Sequence, residues 1–124
     1  MTKKILVVDD EPGLLKVTLL RLNKTGYEAL GATSGEEALA LARQKMPDLM
    51  LLDVFLPEMN GDEVVRILKR DEKLKCMPII LISAVVESLE ATAVECGADG
   101  YLPKPFASSD LLGMIGKYLD DEAK

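Results

Sequence analysis

Four short apolar runs in this chain end in, or lead quickly to, residues suited to phosphoryl chemistry. Asp9 and Asp10 follow Ile5–Val8, Asp53 closes Leu49–Leu52, Ser83 closes Ile79–Ile82, and Lys104 comes just after a stretch around Tyr101. Three carboxylates gathered in one place repel one another unless one takes up a proton or a cation lies among them. Hard oxygen ligands without sulfur or imidazole suit Mg2+, which takes one or two protein carboxylates and fills its shell with water and phosphate oxygens. A carboxylate of Asp53 could then serve as nucleophile and form an aspartyl phosphate. Such a transfer asks mainly for positioning and charge neutralisation. An ammonium such as that of Lys104, together with the Ser83 hydroxyl, supplies both.

Each of these residues also has an ordinary explanation. Asp10 could cap the helix that follows it, Asp53 and Ser83 could be turn residues, and Lys104 could be a solvated lysine. Those explanations would have to coincide at four strand ends.

Short apolar runs alternate along the chain with amphipathic stretches, the pattern of βαβ units. Strands are predicted at Lys4–Val8, Glu28–Ala32, Asp48–Asp53, Ile79–Ile82 and about Gly100–Leu102. The helices between them run from about Glu11 to Thr25, from Ser34 to about Lys45, from Gly61 to about Asp71, near Glu87–Cys96, and over about Ser108–Leu119. Pro12 suits a first turn and Gly26 a stop. Ser34-Gly35-Glu36-Glu37 is a capping box, and Asn60 with Glu63 forms a second. The strict alternation predicts a doubly wound α/β fold with helices on both faces of a parallel sheet. In the flavodoxin-like strand order 2-1-3-4-5, the first and third strands are neighbours at the switch point, where ligands bind at the carboxyl ends. That order would put Asp9 and Asp10 beside Asp53.

The 124 residues predict one domain, with a core over about residues 4–119 and a frayed tail at Asp120–Lys124. A net charge of −6, with three tyrosines, two phenylalanines and no tryptophan, argues against nucleic acid as a partner of this domain. No apolar run approaches the ~20 residues of a membrane span. The four apolar residues before Asp9 are too few for the core of a signal peptide, so a cytoplasmic location is expected. Cys76 and Cys96 form no CxxC pattern and read as reduced thiols. The chain has no histidine, so histidine chemistry must come from a partner.

On these residues the chain resembles the receiver domains of bacterial two-component response regulators. The resemblance covers about Lys4–Leu119 and rests on V-V-D-D-E-P (Val7–Pro12), D-V-F-L-P-E-M-N-G (Asp53–Gly61), L-I-S-A (Leu81–Ala84) and G-A-D-G-Y-L-P-K-P-F (Gly97–Phe106). It implies that Asp53 accepts a phosphoryl group from a phosphohistidine of a histidine kinase or histidine phosphotransfer protein. Asp10 and Asp53 would bind Mg2+ directly with the backbone carbonyl of Phe55, and Asp9 would act through water on the metal. Lys104 would contact the phosphoryl oxygens and bridge to Asp53. Ser83 would be the switch hydroxyl and Tyr101 the aromatic switch residue, and the Lys104–Pro105 peptide is expected to be cis. Serine stands at position 83 where threonine is commoner. The apolar Phe55 and Val85 stand where the family borders the path of the hydrolytic water.

The resemblance implies a signalling switch rather than an enzyme, with a downstream protein or linked output domain as its target. Three other classes fit less well. An aspartyl phosphohydrolase would carry D-x-D after the first strand, where this chain has Asp9-Asp10-Glu11-Pro12. A nucleotide- or flavin-binding module would need a Gly/Ser/Thr-rich phosphate loop there. A pure interaction domain would have no need of a complete site.

Overall fold

The computed structural model describes residues 2–85 and 87–119, so the expected frayed tail lies outside the described residues. Five strands alternate with five helices: β1 Lys4–Val8, α1 Pro12–Lys24, β2 Glu28–Ala32, α2 Gly35–Lys45, β3 Leu49–Asp53, α3 Gly61–Lys69, β4 Ile79–Ser83, α4 Leu89–Cys96, β5 Gly100–Pro103 and α5 Ser108–Leu119. The strands form one parallel sheet in the order β2-β1-β3-β4-β5. The doubly wound fold expected from the alternation is therefore the one observed.

β3 and β4 are buried at every position, and β1 at all but its first residue. This is what continuous apolar runs covered on both faces require. The period of two divides their side chains between two cores. Leu6, Val8, Met50, Leu52, Ile79 and Leu81 pack on one side with residues of α2, α3 and α4. Ile5, Val7, Leu49, Leu51, Ile80 and Ile82 pack on the other with residues of α1 and α5. At roughly 1.5–3 kcal/mol for each large aliphatic side chain buried, these strands are the most strongly held part of the sheet. The edge strands β2 and β5 are only partly buried.

Local signals place the helix starts. Pro12 opens α1, where its missing N–H leaves nothing unsatisfied. The Ser34 hydroxyl accepts from Glu37 N–H at 3.1 Å, while the Glu37 carboxylate accepts from Thr33 N–H at 2.9 Å, one residue earlier than a simple reciprocal box. Glu63 Oε1 accepts from Asn60 N–H at 3.2 Å.

Differences from the sequence expectation are confined to element ends. Asp48 precedes β3 because its carboxylate accepts from Lys4 N–H at 2.7 Å, which ties it to the start of β1. α3 stops at Lys69, with Arg70 as its C-cap. α4 begins at Leu89, with Ser88 at the N-cap position making no side-chain capping bond.

The pole of the sheet away from the carboxyl ends is fastened by one lysine. Lys69 Nζ donates to the carbonyls of Lys75 and Met77 at 3.2 and 3.1 Å and to Asp99 Oδ2 at 2.8 Å. The same Asp99 oxygen accepts from Ile79 N–H at 2.8 Å, and the Asp99 carbonyl accepts from the Tyr118 hydroxyl at 2.6 Å. No helix among the described residues is long and apolar enough to cross a membrane.

Candidate functional site

The carboxyl ends of β1 and β3 lie side by side, with Val8 paired to Leu52. Asp9 and Asp10 therefore emerge next to Asp53. One carboxylate oxygen from each of the three lies within 4.8 Å of the other two. The set is all hard oxygen, so it fits Mg2+ and would serve poorly for a thiophilic metal.

Lys104 reaches this cluster from the end of β5. Its Nζ donates to Asp53 Oδ2 at 3.0 Å and to Asp9 Oδ2 at 3.2 Å, with only 17% of its side chain exposed. It is not a solvated surface lysine. The Lys104–Pro105 peptide is cis.

Burial raises the pKa of Asp53 above the ordinary carboxylate value, and the hydrogen bond and charge of Lys104 only partly oppose it. At Lys104 the balance runs the other way: burial alone would lower its pKa, but Asp53 and Asp9 together raise it. The difference is consistent with one ammonium facing two carboxylates.

Asp9 also shapes the loop. Its Oδ1 accepts from Glu11 N–H at 3.0 Å. The helix-capping role considered for Asp10 does not occur: the N-cap position of α1 is Glu11, which makes no side-chain capping bond, and Asp10 is exposed. Ser83 is 1% exposed at the end of β4, and its hydroxyl accepts from Val85 N–H at 3.0 Å. The turn role considered for Ser83 is thus real, at the end of the strand whose Ile82 pairs with Asp53.

Tyr101 pairs with Leu81 in the ladder and stands 37% exposed on the edge strand. Phe55 and Val85, each two residues beyond a site residue, are 54% and 47% exposed. A groove of about 340 Å3 opens beside Lys104, lined mainly by Leu14, Val17, Ala84, Pro105 and Phe106.

Two features escaped the sequence reading. Gly61, the last residue of the Asp53–Gly61 run and the first of α3, packs directly on the Asp53 peptide. Its only signal was a glycine at the start of a helix. The Lys69–Asp99 pair joins residues 30 positions apart and had no local signature.

A parallel sheet of this order, with an acidic cluster and a lysine at its carboxyl ends, defines a class of phosphoacceptor domains. The sequence profile of the response regulator receiver domain matches residues 5–116, and the chain belongs to that family. Its members are phosphoacceptor signalling switches of two-component systems, and this chain is one of them.

The chain is 42% identical over 112 residues to the alkaline phosphatase synthesis transcriptional regulatory protein PhoP of Bacillus subtilis, covering 90% of this chain and 46% of that protein. It therefore spans about half the length of that relative. It is 37% identical over 122 residues to the polar-differentiation response regulator DivK of Brucella ovis, covering 98% of this chain and 99% of that one. Among solved structures, the receiver domain of the sensor histidine kinase PA1611 of Pseudomonas aeruginosa superposes with a TM-score of 0.86. The two are 26% identical over 95% of this chain and 98% of that one, and that structure has a magnesium ion coordinated in its active-site cleft.

Proposed function

We propose that Asp53 is the phosphoacceptor, supplied by the phosphohistidine of a cytoplasmic histidine kinase or phosphotransfer protein. The observation that carries this reading is the Lys104 ammonium bound to both Asp53 and Asp9, with Asp10 alongside. Asp10 and Asp53, with the Phe55 carbonyl, would hold Mg2+, and Asp9 would act at one remove. When bound, the ion neutralises charge on the phosphoryl oxygens.

The chain's own residues do the rest. Burial restricts the Asp53 carboxylate to a narrow range of approach. Lys104 holds one of its oxygens and offers a point charge to the incoming phosphoryl group. The phosphorus–nitrogen bond of the donor breaks as a bond from phosphorus to an Asp53 oxygen forms, and the imidazole leaves with the partner. The apolar groove between α1 and the segment after Lys104 offers the donor protein a seat beside the site.

Ser83 then turns its hydroxyl from the Val85 amide toward the phosphoryl group, and Tyr101 moves inward from its exposed position. Both motions bias an existing equilibrium toward a partner-binding form. The downstream target is a protein or a linked output domain.

Incubation with acetyl phosphate or a phosphohistidine kinase tests this reading. It should place one acid-stable, base-labile phosphoryl group on the chain, absent from Asp53→Ala and much reduced on Lys104→Ala. Wild-type labelling of Asp53→Ala would sink the assignment.

A further inference from the structure

The first residue of α3 lies against the peptide that leaves Asp53, and the contact has no room for a side chain. Gly61 N–H donates to the Val54 carbonyl at 2.7 Å, which draws the start of α3 back onto β3. A Cβ at position 61 would collide with the Asp53 carbonyl oxygen and would lie 3.1 Å from both the Asp53 carbonyl carbon and Val54 Cα. All three are backbone atoms, which cannot swing aside as the end of a flexible side chain can. Gly61 is not among the glycines with positive φ, so close approach rather than torsion is what demands glycine here.

The loop between β3 and α3 cannot easily absorb the collision. Glu58 is held in the left-handed region at φ 66°, and Met59 N–H donates to the Pro57 carbonyl at 2.6 Å. Glu63 ties down Asn60 N–H at the helix start. Room for a Cβ must therefore come from moving α3 outward or from moving the Asp53–Val54 peptide. Either motion acts on the residue that carries the acceptor carboxylate and on the peptide leading to Phe55.

We infer that Gly61 is a positioning residue for the phosphoacceptor site, setting through backbone contact the aim of the Asp53 carboxylate and the Phe55 carbonyl. The inference rests on the reading of Asp53 as acceptor and metal ligand. It adds a residue that touches neither ion nor phosphoryl group.

Gly100 provides the comparison. A Cβ there would meet the Tyr118 hydroxyl at 2.8 Å, at the pole opposite the site. Both Gly61→Ala and Gly100→Ala should lower the melting temperature, but only Gly61→Ala should change the site. The experiment is a Mg2+ titration of the unphosphorylated chain by calorimetry, with backbone amide shifts of residues 53–55 recorded in parallel. Gly61→Ala should weaken Mg2+ binding about tenfold, as loss of a supporting residue commonly does, and should displace those shifts before any Mg2+ is added. Gly100→Ala should leave both unchanged.

If the unsubstituted chain and Gly61→Ala bind Mg2+ equally, the inference is overturned while the site reading stands. If the unsubstituted chain does not bind Mg2+, both fall together. Should Gly61→Ala not fold, Glu63→Ala decides, since it frees the same helix start without adding atoms. A weaker Mg2+ affinity in that variant supports the inference, and an unchanged one overturns it.

Discussion

Lys104 Nζ and Asp53 Oδ2 lie 3.0 Å apart across 51 residues of chain, one at the end of an edge strand and the other at the end of a central one. The pair shows which effect wins at Asp53. Were the salt bridge dominant, Asp53 would ionise more readily than a free aspartate. Burial instead keeps its pKa above the ordinary value.

Neutralising Asp53 should therefore stabilise the metal-free protein. Folded Asp53 holds its proton more tightly than the unfolded chain does, so its ionisation costs stability above the folded pKa and nothing below the unfolded one. Asp53→Asn should melt higher than the unsubstituted chain at pH 7. The gap should close as pH falls below about 4, the ordinary aspartate range. Lys104 has the opposite dependence: its raised pKa contributes stability that is complete in the neutral range and lost as pH climbs past the folded value. Paired thermal melts across pH check both.

Millimolar Mg2+ should raise the melting temperature of the unsubstituted chain by mass action. Asp10→Asn should blunt that rise with little change in the metal-free melt, because Asp10 is exposed. An equal Mg2+ response in the two proteins would remove Asp10 from the ligand set.

The lifetime of the phosphoryl group should be long. Phe55 and Val85 are exposed, and their side chains have neither donor nor acceptor with which to orient an attacking water. Phe55→Asn should speed loss of label several-fold without lowering the initial extent of labelling. Time courses after removal of the donor measure it.

Adding beryllofluoride with Mg2+, a mimic of the aspartyl phosphate, should shift backbone amides at Ser83, at Tyr101 and along α4. The first turn of α4 lacks a side-chain cap, whereas its last turn is closed by Gly97 at φ 92° and tied through Asp99 to Lys69. The shifts should therefore be larger at Leu89–Thr92 than at Ala93–Cys96. Shifts confined to the Asp9, Asp53 and Ser83 loops would leave a phosphoacceptor without the switch.

Lys69→Met should cost about 1–3 kcal/mol, the usual penalty for stranding partly buried partners of a charged hydrogen-bond donor. It should not alter Mg2+ affinity, since Lys69 lies at the far pole. Denaturant unfolding and the Mg2+ titration together decide this.

What the sequence revealed depended on the range of the signal. β1, β3 and β4 are readable because burial on both faces demands unbroken apolar runs, and Asp53 and Ser83 interrupt those runs where the sheet ends. Helix starts at Ser34 and Asn60 are readable from residues three apart. The choice of Asp9 over Asp10 as the partner of Lys104 depends on a few ångströms of loop geometry and is not. Nor is the approach of Gly61 to Asp53, because a missing side chain has no hydropathy pattern. Lys69 and Asp99 look like any two surface charges until the fold brings them together.

The position of β5 gives the site two mechanical parts. Asp53 ends β3 and Asp9 directly follows β1, and both strands are paired along each side, so these carboxylates ride on a chassis of interior strands. Lys104 follows a four-residue strand held along one side only. It acts as a latch on that chassis, and detaching β5 would withdraw the ammonium while leaving the carboxylates where they are. A molecule gripping the free margin of β5 could thus govern signalling from outside, with no access to the cleft.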